Sequence, residues 1–131
     1  MEGYPFVYRD RVRFRDVDSL KHVNNAVYLT YLESARIAYI RQVSENDDAV
    51  GGMAMILARV EIDFRAPAVY DEEIEVGVRP SHVGTKSFHL DSPIYANGRL
   101  VAESNAVLVG YDYDRGQTIP IPEQWRRKLA V

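Results

Sequence analysis

One long segment of this chain, Ala26–Val43, repeats with the period of a helix, and the sequence on both sides of it alternates with the period of a strand. Set at about 100° per residue, Tyr28, Tyr31, Leu32, Ala35, Ala38, Tyr39 and Val43 share one broad face. Thr30, Glu33, Ser34 and Arg41 lie opposite it or on its flank, and Ile37 falls on the otherwise polar side. So wide an apolar stripe has to be enclosed, and Ala35 and Ala38 let strands approach it closely. The helix therefore asks for a curved sheet around it. Helix stops fall near Glu45–Asp48, and Gly51 and Gly52 mark a turn.

The strands that would supply this sheet are legible as period-two runs. From Tyr4 to Phe14, residues Phe6, Tyr8, Val12 and Phe14 fall on one parity and Arg9, Arg11 and Arg13 on the other, which predicts a half-buried strand. After the helix, Ile56, Ala58, Val60, Ile62 and Phe64 alternate with Leu57, Arg59, Glu61, Asp63 and Arg65 up to a turn at Pro67. Ile74, Val76 and Val78 alternate with Glu73, Glu75 and Arg79. A third run, Phe88–Tyr95, is interrupted by Pro93, and Asn97-Gly98 joins it as a hairpin to a fourth run from Leu100 to about Tyr113. Gly116 ends that strand, and Pro122 opens a short terminal helix to Leu129. The sum is an α+β domain, an antiparallel meander wrapped around one long central helix.

At 131 residues and 47% hydrophobic, the chain suits a single domain spanning residues 1–131. A net charge of -3 supplies no global basic field, so nucleic acid is not an expected partner. The absence of cysteine removes disulfides, thiolate metal sites and a cysteine nucleophile. The first residues do not read as a signal peptide, and no apolar run reaches the roughly 20 residues of a membrane span, so a cytoplasmic location is expected.

Between the first strand and the helix, the stretch Arg13–Arg36 gathers Asp16, Asp18, His22, Asn24 and Asn25 at the helix mouth. Free N–H groups and the positive end of the helix dipole favour negative charge developing there, as in chemistry on a carbonyl. The same residue types also serve structure. Asn24 is well placed as the N-cap, Asp16 orders the loop, and Glu33 pairs weakly with Arg36. Tyr28 lies on the apolar stripe, with only its hydroxyl directed to the site. His22 reads more readily as a hydrogen-bonding residue than as a general base, although histidine as a residue type stays eligible for that role.

The order Asp-x-Asp, His-x-Asn-Asn, Tyr and Tyr-Leu-Glu-x-Ala-Arg, followed by DFRAPAVYDEEIEV, HVGTKSFHL and Ile-Pro-Ile-Pro, resembles the hotdog-fold acyl-CoA thioesterases of the 4-hydroxybenzoyl-CoA thioesterase type. The resemblance spans almost the whole chain and implies the hotdog fold and hydrolysis of an acyl-CoA to free acid and CoA. It places the catalytic carboxylate at Asp18, with Tyr28 ten residues on. Seven residues after the acid, where relatives vary, stands Asn25, which donates a hydrogen bond but transfers no proton at neutral pH. Activation of water by Asp18, with Asn25 and the helix start polarising the carbonyl, fits that choice. His22 completes the candidate catalytic set, and Glu33 is a reserve acid because some relatives use a helix carboxylate.

Coenzyme A is then substrate, with no cofactor and no metal expected. Its phosphates call for cations and hydroxyls, for which Arg59, Arg65, Thr85, Lys86 and Ser87 are candidates, with Asn24 at the reacting end. The resemblance further implies a homodimer or homotetramer whose sites are built across an interface. Alternatives are an acyl-carrier-protein thioesterase and a non-catalytic module that binds acyl thioesters. A hydratase ranks lower, since three residues separate Asp18 from His22 and five separate Asp16 from it, where those relatives have four. His22, His82 and His89 have no metal-ligand spacing in sequence.

Overall fold

The computed structural model describes residues 1–44 and 53–129; the helix stops expected at Glu45–Asp48 and the Gly51-Gly52 turn lie outside the described residues. Helix α1 runs Asn25–Val43 and buries Tyr28, Tyr31, Leu32, Ala35, Tyr39 and Val43, while Ile37 stays exposed. This is the stripe that the periodicity defines. A sheet of seven strands holds it: β1 Phe6–Arg11, β2 Met53–Phe64, β3 Glu73–Val83, β4 Ser87–Asp91, β5 Ile94–Ala96, β6 Arg99–Asp112 and β7 Gln117–Thr118. The face of the sheet toward α1 contributes Ile74, Val76, Val78, Phe88, Leu90, Ile94, Ala96, Ala102, Ala106 and Leu108 to one core. Helix α2, Glu123–Lys128, starts after Pro122 and sinks Trp125 into the same core.

Three expectations are corrected. The sheet is not a simple meander, because its order is β1-β3-β4-β6-β2, with β5 bridging β3 and β6. The strand before α1 and the strand after it therefore form opposite edges. The first strand also ends early. Beyond Arg11 the chain turns into a single 3-10 turn, Phe14–Asp16, so the parity that placed Phe14 with the core fails and Phe14 is 78% exposed. Finally, a bulge between Leu57 and Arg59 breaks the alternation of β2. The extra residue puts Leu57 opposite buried Leu108 and Ile56 opposite Val109, the reverse of an unbroken period of two. The Asn97-Gly98 hairpin forms as its positive φ values require, 46° and 80°.

Candidate active site

The loop between β1 and α1 carries two acids with opposite fates. Asp16 is buried, which a carboxylate tolerates only with donors around it. Its Oδ2 accepts from the Arg13 amide at 2.9 Å and the Tyr31 hydroxyl at 2.8 Å, and its own carbonyl accepts from Asn24 N–H at 2.9 Å. One residue thus fastens both the entry of the loop and the start of α1. Burial first, and then donation to Asp16, push the Tyr31 hydroxyl well above the usual range for a phenol, so it remains a donor.

Asp18, two residues on, is exposed at the base of a tight turn. Its N–H donates to His22 O and its carbonyl accepts from Lys21 N–H, both at 2.9 Å, and a Val17–Val23 bridge closes the turn below. Lys21 adopts a φ of 66°, the left-handed conformation that a glycine or asparagine takes more easily. Asp18 Oδ1 accepts from the Leu20 amide at 2.9 Å. Oδ2 has no protein donor among the described residues.

The helix begins beside this turn. Asn24 is the N-cap, its Oδ1 accepting from Ala26 N–H at 2.9 Å while its carbonyl accepts from Val27 N–H at 2.8 Å. The cap occupies those two donors, which leaves the N–H of Asn25 as the open donor of the first turn. The Asn25 side chain is exposed next to it, and His22 is exposed across the turn. Tyr28 is buried, and its hydroxyl accepts from the Ala68 amide at 3.3 Å; burial foremost raises its pKa. Its contribution is thus made through the neighbouring loop. Glu33 is exposed more than two turns into α1.

That neighbouring loop, residues 65–72, is a second support, held by a brace that the sequence did not single out. Arg99 grips Glu72 through both guanidinium branches at 2.9 and 2.8 Å and also donates to Pro67 O at 2.8 Å. Glu72 accepts in addition from the Val69 amide at 2.8 Å. The Arg99 hydrogen bonds hold the buried Glu72 carboxyl below its usual range, against the effect of burial. The loop so braced takes Val23 N–H on Ala68 O and Val12 N–H on Glu72 O, and bridges His22 through Val69. Its signal in sequence was weak: an Arg and a Glu 27 residues apart meet only once β6 folds back past β3. Around the two loops stands a rim of exposed apolar groups, including Leu20, Phe64, Val69 and Tyr70.

The candidate phosphate contacts divide. Arg65 lies just past the end of β2 near this site and pairs with Glu103 at 2.9 Å. Arg59 pairs with Glu61 on the middle of β2. Thr85, Lys86 and Ser87 occupy the β3–β4 hairpin, fixed by Arg126 on Gly84 O at 2.6 Å, Ile121 N–H on Thr85 O at 2.9 Å and Gly110 N–H on Lys86 O at 3.0 Å. Strand β3 leaves the 65–72 loop at Glu73 and reaches this hairpin at Val83, a run of about 30 Å at strand rise. Within one chain, Lys86 and Asp18 are at opposite ends of the sheet.

Comparison with known proteins agrees with this architecture. Residues 12–129 match the family model described as the thioesterase-like superfamily. The long-chain acyl-CoA thioesterase FadM of Escherichia coli is 29% identical over 126 residues, covering 91% of this chain and 92% of that protein. A Thermus thermophilus thioesterase crystallised with coenzyme A and Zn is 40% identical with a TM-score of 0.88, over 98% of this chain and 94% of that one. A thioesterase-superfamily protein from Jannaschia gives a TM-score of 0.90 at 27% identity, over 100% of this chain and 84% of that one.

Proposed function

The chain belongs to the thioesterase-like superfamily and has its hotdog fold, and from that premise we propose that it hydrolyses acyl-CoA thioesters with Asp18 as the catalytic carboxylate. The observation that carries the assignment to Asp18 is the contrast between the two acids. Asp16 is buried and takes the Arg13 amide and the Tyr31 hydroxyl on one carboxyl oxygen, whereas Asp18 is exposed and offers an oxygen with no donor among the described residues, at a helix start whose Asn25 N–H the cap leaves open. In this mechanism Asp18 takes a proton from water as the water adds to the thioester carbonyl. The oxyanion forms against Asn25 N–H at the positive end of α1, and a donor so placed is worth roughly 2.7–4 kcal/mol. Collapse of the intermediate breaks the carbon–sulfur bond, and the proton held by Asp18 neutralises the departing thiolate. The side chain of Asn25 orients the water, and His22 flanks the carboxylate without transferring a proton. The exposed apolar rim receives the acyl group.

The active unit in this reading is a homodimer joined through β2. That strand is a sheet edge twelve residues long, and Leu57 and Phe64 on it are 42% and 50% exposed. Antiparallel pairing of two such edges sets the Phe64 end of one chain beside the Met53 end of the other. Since β2 and β4 flank β6, with Met53 opposite Asp112 and Ser87 opposite Val109, the partner's β3–β4 hairpin then approaches Asp18. The distance between Lys86 and Asp18 within one chain becomes a division of labour between two, with Thr85, Lys86 and Ser87 meeting the CoA phosphates and pantetheine.

The test is thiol release from short, long and aromatic acyl-CoA esters by the native protein and Asp18→Asn. The substituted amide keeps an acceptor for the Leu20 amide, so the fold survives, and activity is expected to fall about 10²–10⁴-fold. Undiminished release by the variant would move the acid elsewhere. No release from any ester by the native protein would remove the hydrolase reading.

A further inference from the structure

We propose that His82 on β3 and His89 on β4 form a binding site for a borderline divalent transition metal, zinc foremost, on the sheet face turned away from α1. The site goes beyond the thioesterase reading and does not depend on it. Seven residues apart in sequence, the two histidines are direct cross-strand partners. A bulge makes them so. Pro80 pairs with Leu90, and in a regular ladder Ser81 would face His89 while His82 pointed to the buried side with Phe88. The extra residue at Ser81 shifts the register, so His82 takes the place opposite His89 and Val83 faces Phe88. Bulges recur where a strand re-aims a side chain, and here the side chain re-aimed is an imidazole, brought next to another.

The ring geometry suits a shared metal. The two centroids are 5.1 Å apart with planes at 81°. Two imidazole nitrogens at about 2.0–2.1 Å from one tetrahedral zinc place their ring centres about 5 Å apart. Neither ring has a hydrogen bond or ion pair among the described residues. His82 is exposed and His89 half-buried, which leaves a path for an ion. Gly84 keeps that side open: a Cβ there would lie 3.7 Å from His82 Nε2 and 3.3 Å from Ser87 Oγ. Neutral imidazole donors favour zinc, copper and nickel over magnesium and calcium. Two protein ligands leave two positions for water or an oxygen anion. Asp91, two residues along the same face, is held by Asn105 at 2.7 Å and Arg79 at 3.4 Å and does not join the pair.

The experiment is calorimetric titration of the untagged full chain, freed of metal by chelator, with zinc chloride, and with magnesium chloride as the comparison ion. One zinc per chain is expected, with no magnesium binding. His82→Gln and His89→Gln should each weaken zinc at least 10-fold, while His22→Gln leaves zinc affinity unchanged. Circular dichroism melts confirm that the variants fold, as expected for side chains on the solvent face. A native chain that takes up no zinc below millimolar concentration overturns the proposal. So does loss of binding in one of the two variants but not the other, which would show that the rings do not chelate together.

Discussion

The two edges of the sheet solve the same problem in opposite ways. β1 is six residues long, carries Arg9, Asp10 and Arg11, and lays Arg9 across to Glu75 at 3.2 Å. It then runs into the braced loops, where Val12 N–H reaches Glu72 O. A short, charged edge that ends in its own hydrogen bonds resists further pairing. β2 is twice as long, sits at the other edge, and leaves Leu57 and Phe64 exposed. One edge is finished within the chain, and the other has the features of an edge that awaits a partner.

Substitutions on the two sides should therefore fail in different ways. The largest effect is expected at Leu57→Glu, which sets a charge on the uncovered apolar side of β2. Self-association, followed by sedimentation, should weaken about 100-fold or more, and thioesterase activity should fall with it. A variant that stays associated and active would show that β2 is not the joining edge.

On the β1 side, Arg99→Ala should cost stability without altering association. It leaves Glu72 buried with one amide donor, a loss of about 2 kcal/mol in urea unfolding, moderated because the Arg99 side chain is 44% exposed. The pH dependence carries the sign of a carboxyl whose folded pKa lies below its unfolded one. Its stabilisation is complete above the unfolded value and is lost as pH falls through the lower folded value. Native protein should thus lose stability across the acid range more steeply than Glu72→Gln, and equal slopes would refute the assignment. The smallest effect belongs to Arg9→Ala. Arg9 is 61% exposed in its ion pair, so stability should change by roughly 0.5 kcal/mol or less and association not at all.

What the sequence disclosed follows from the range of the forces involved. The buried face of α1, the Asn24 cap and the Asn97-Gly98 turn are written in residues a few positions apart, and each forms as expected. Phe14, Leu57 and His82 were misplaced or passed over for a common reason. A single 3-10 turn or bulge reverses which way a side chain points, and no alternation of residue types marks it. At the site, the acids and amides were visible as a cluster. That Asp16 is enclosed and Asp18 open depends on Tyr31 fifteen residues away, and the Arg99–Glu72 brace depends on the sheet order.

The placement of β2 also bears on how the chain is made. Among the described residues its only partner within the sheet is β6, and β1, β3 and β4 pair with one another without it. During synthesis, residues 53–64 emerge well before residues 99–112, so this strand has both backbone edges open until β6 has left the ribosome. Pairing over such a separation is slow because loop closure precedes any contact that rewards it. The strand that the proposed dimer shares thus waits for β6 before it is secured in the monomer, and in that interval nascent chains of this protein are exposed to pairing with one another in the wrong register.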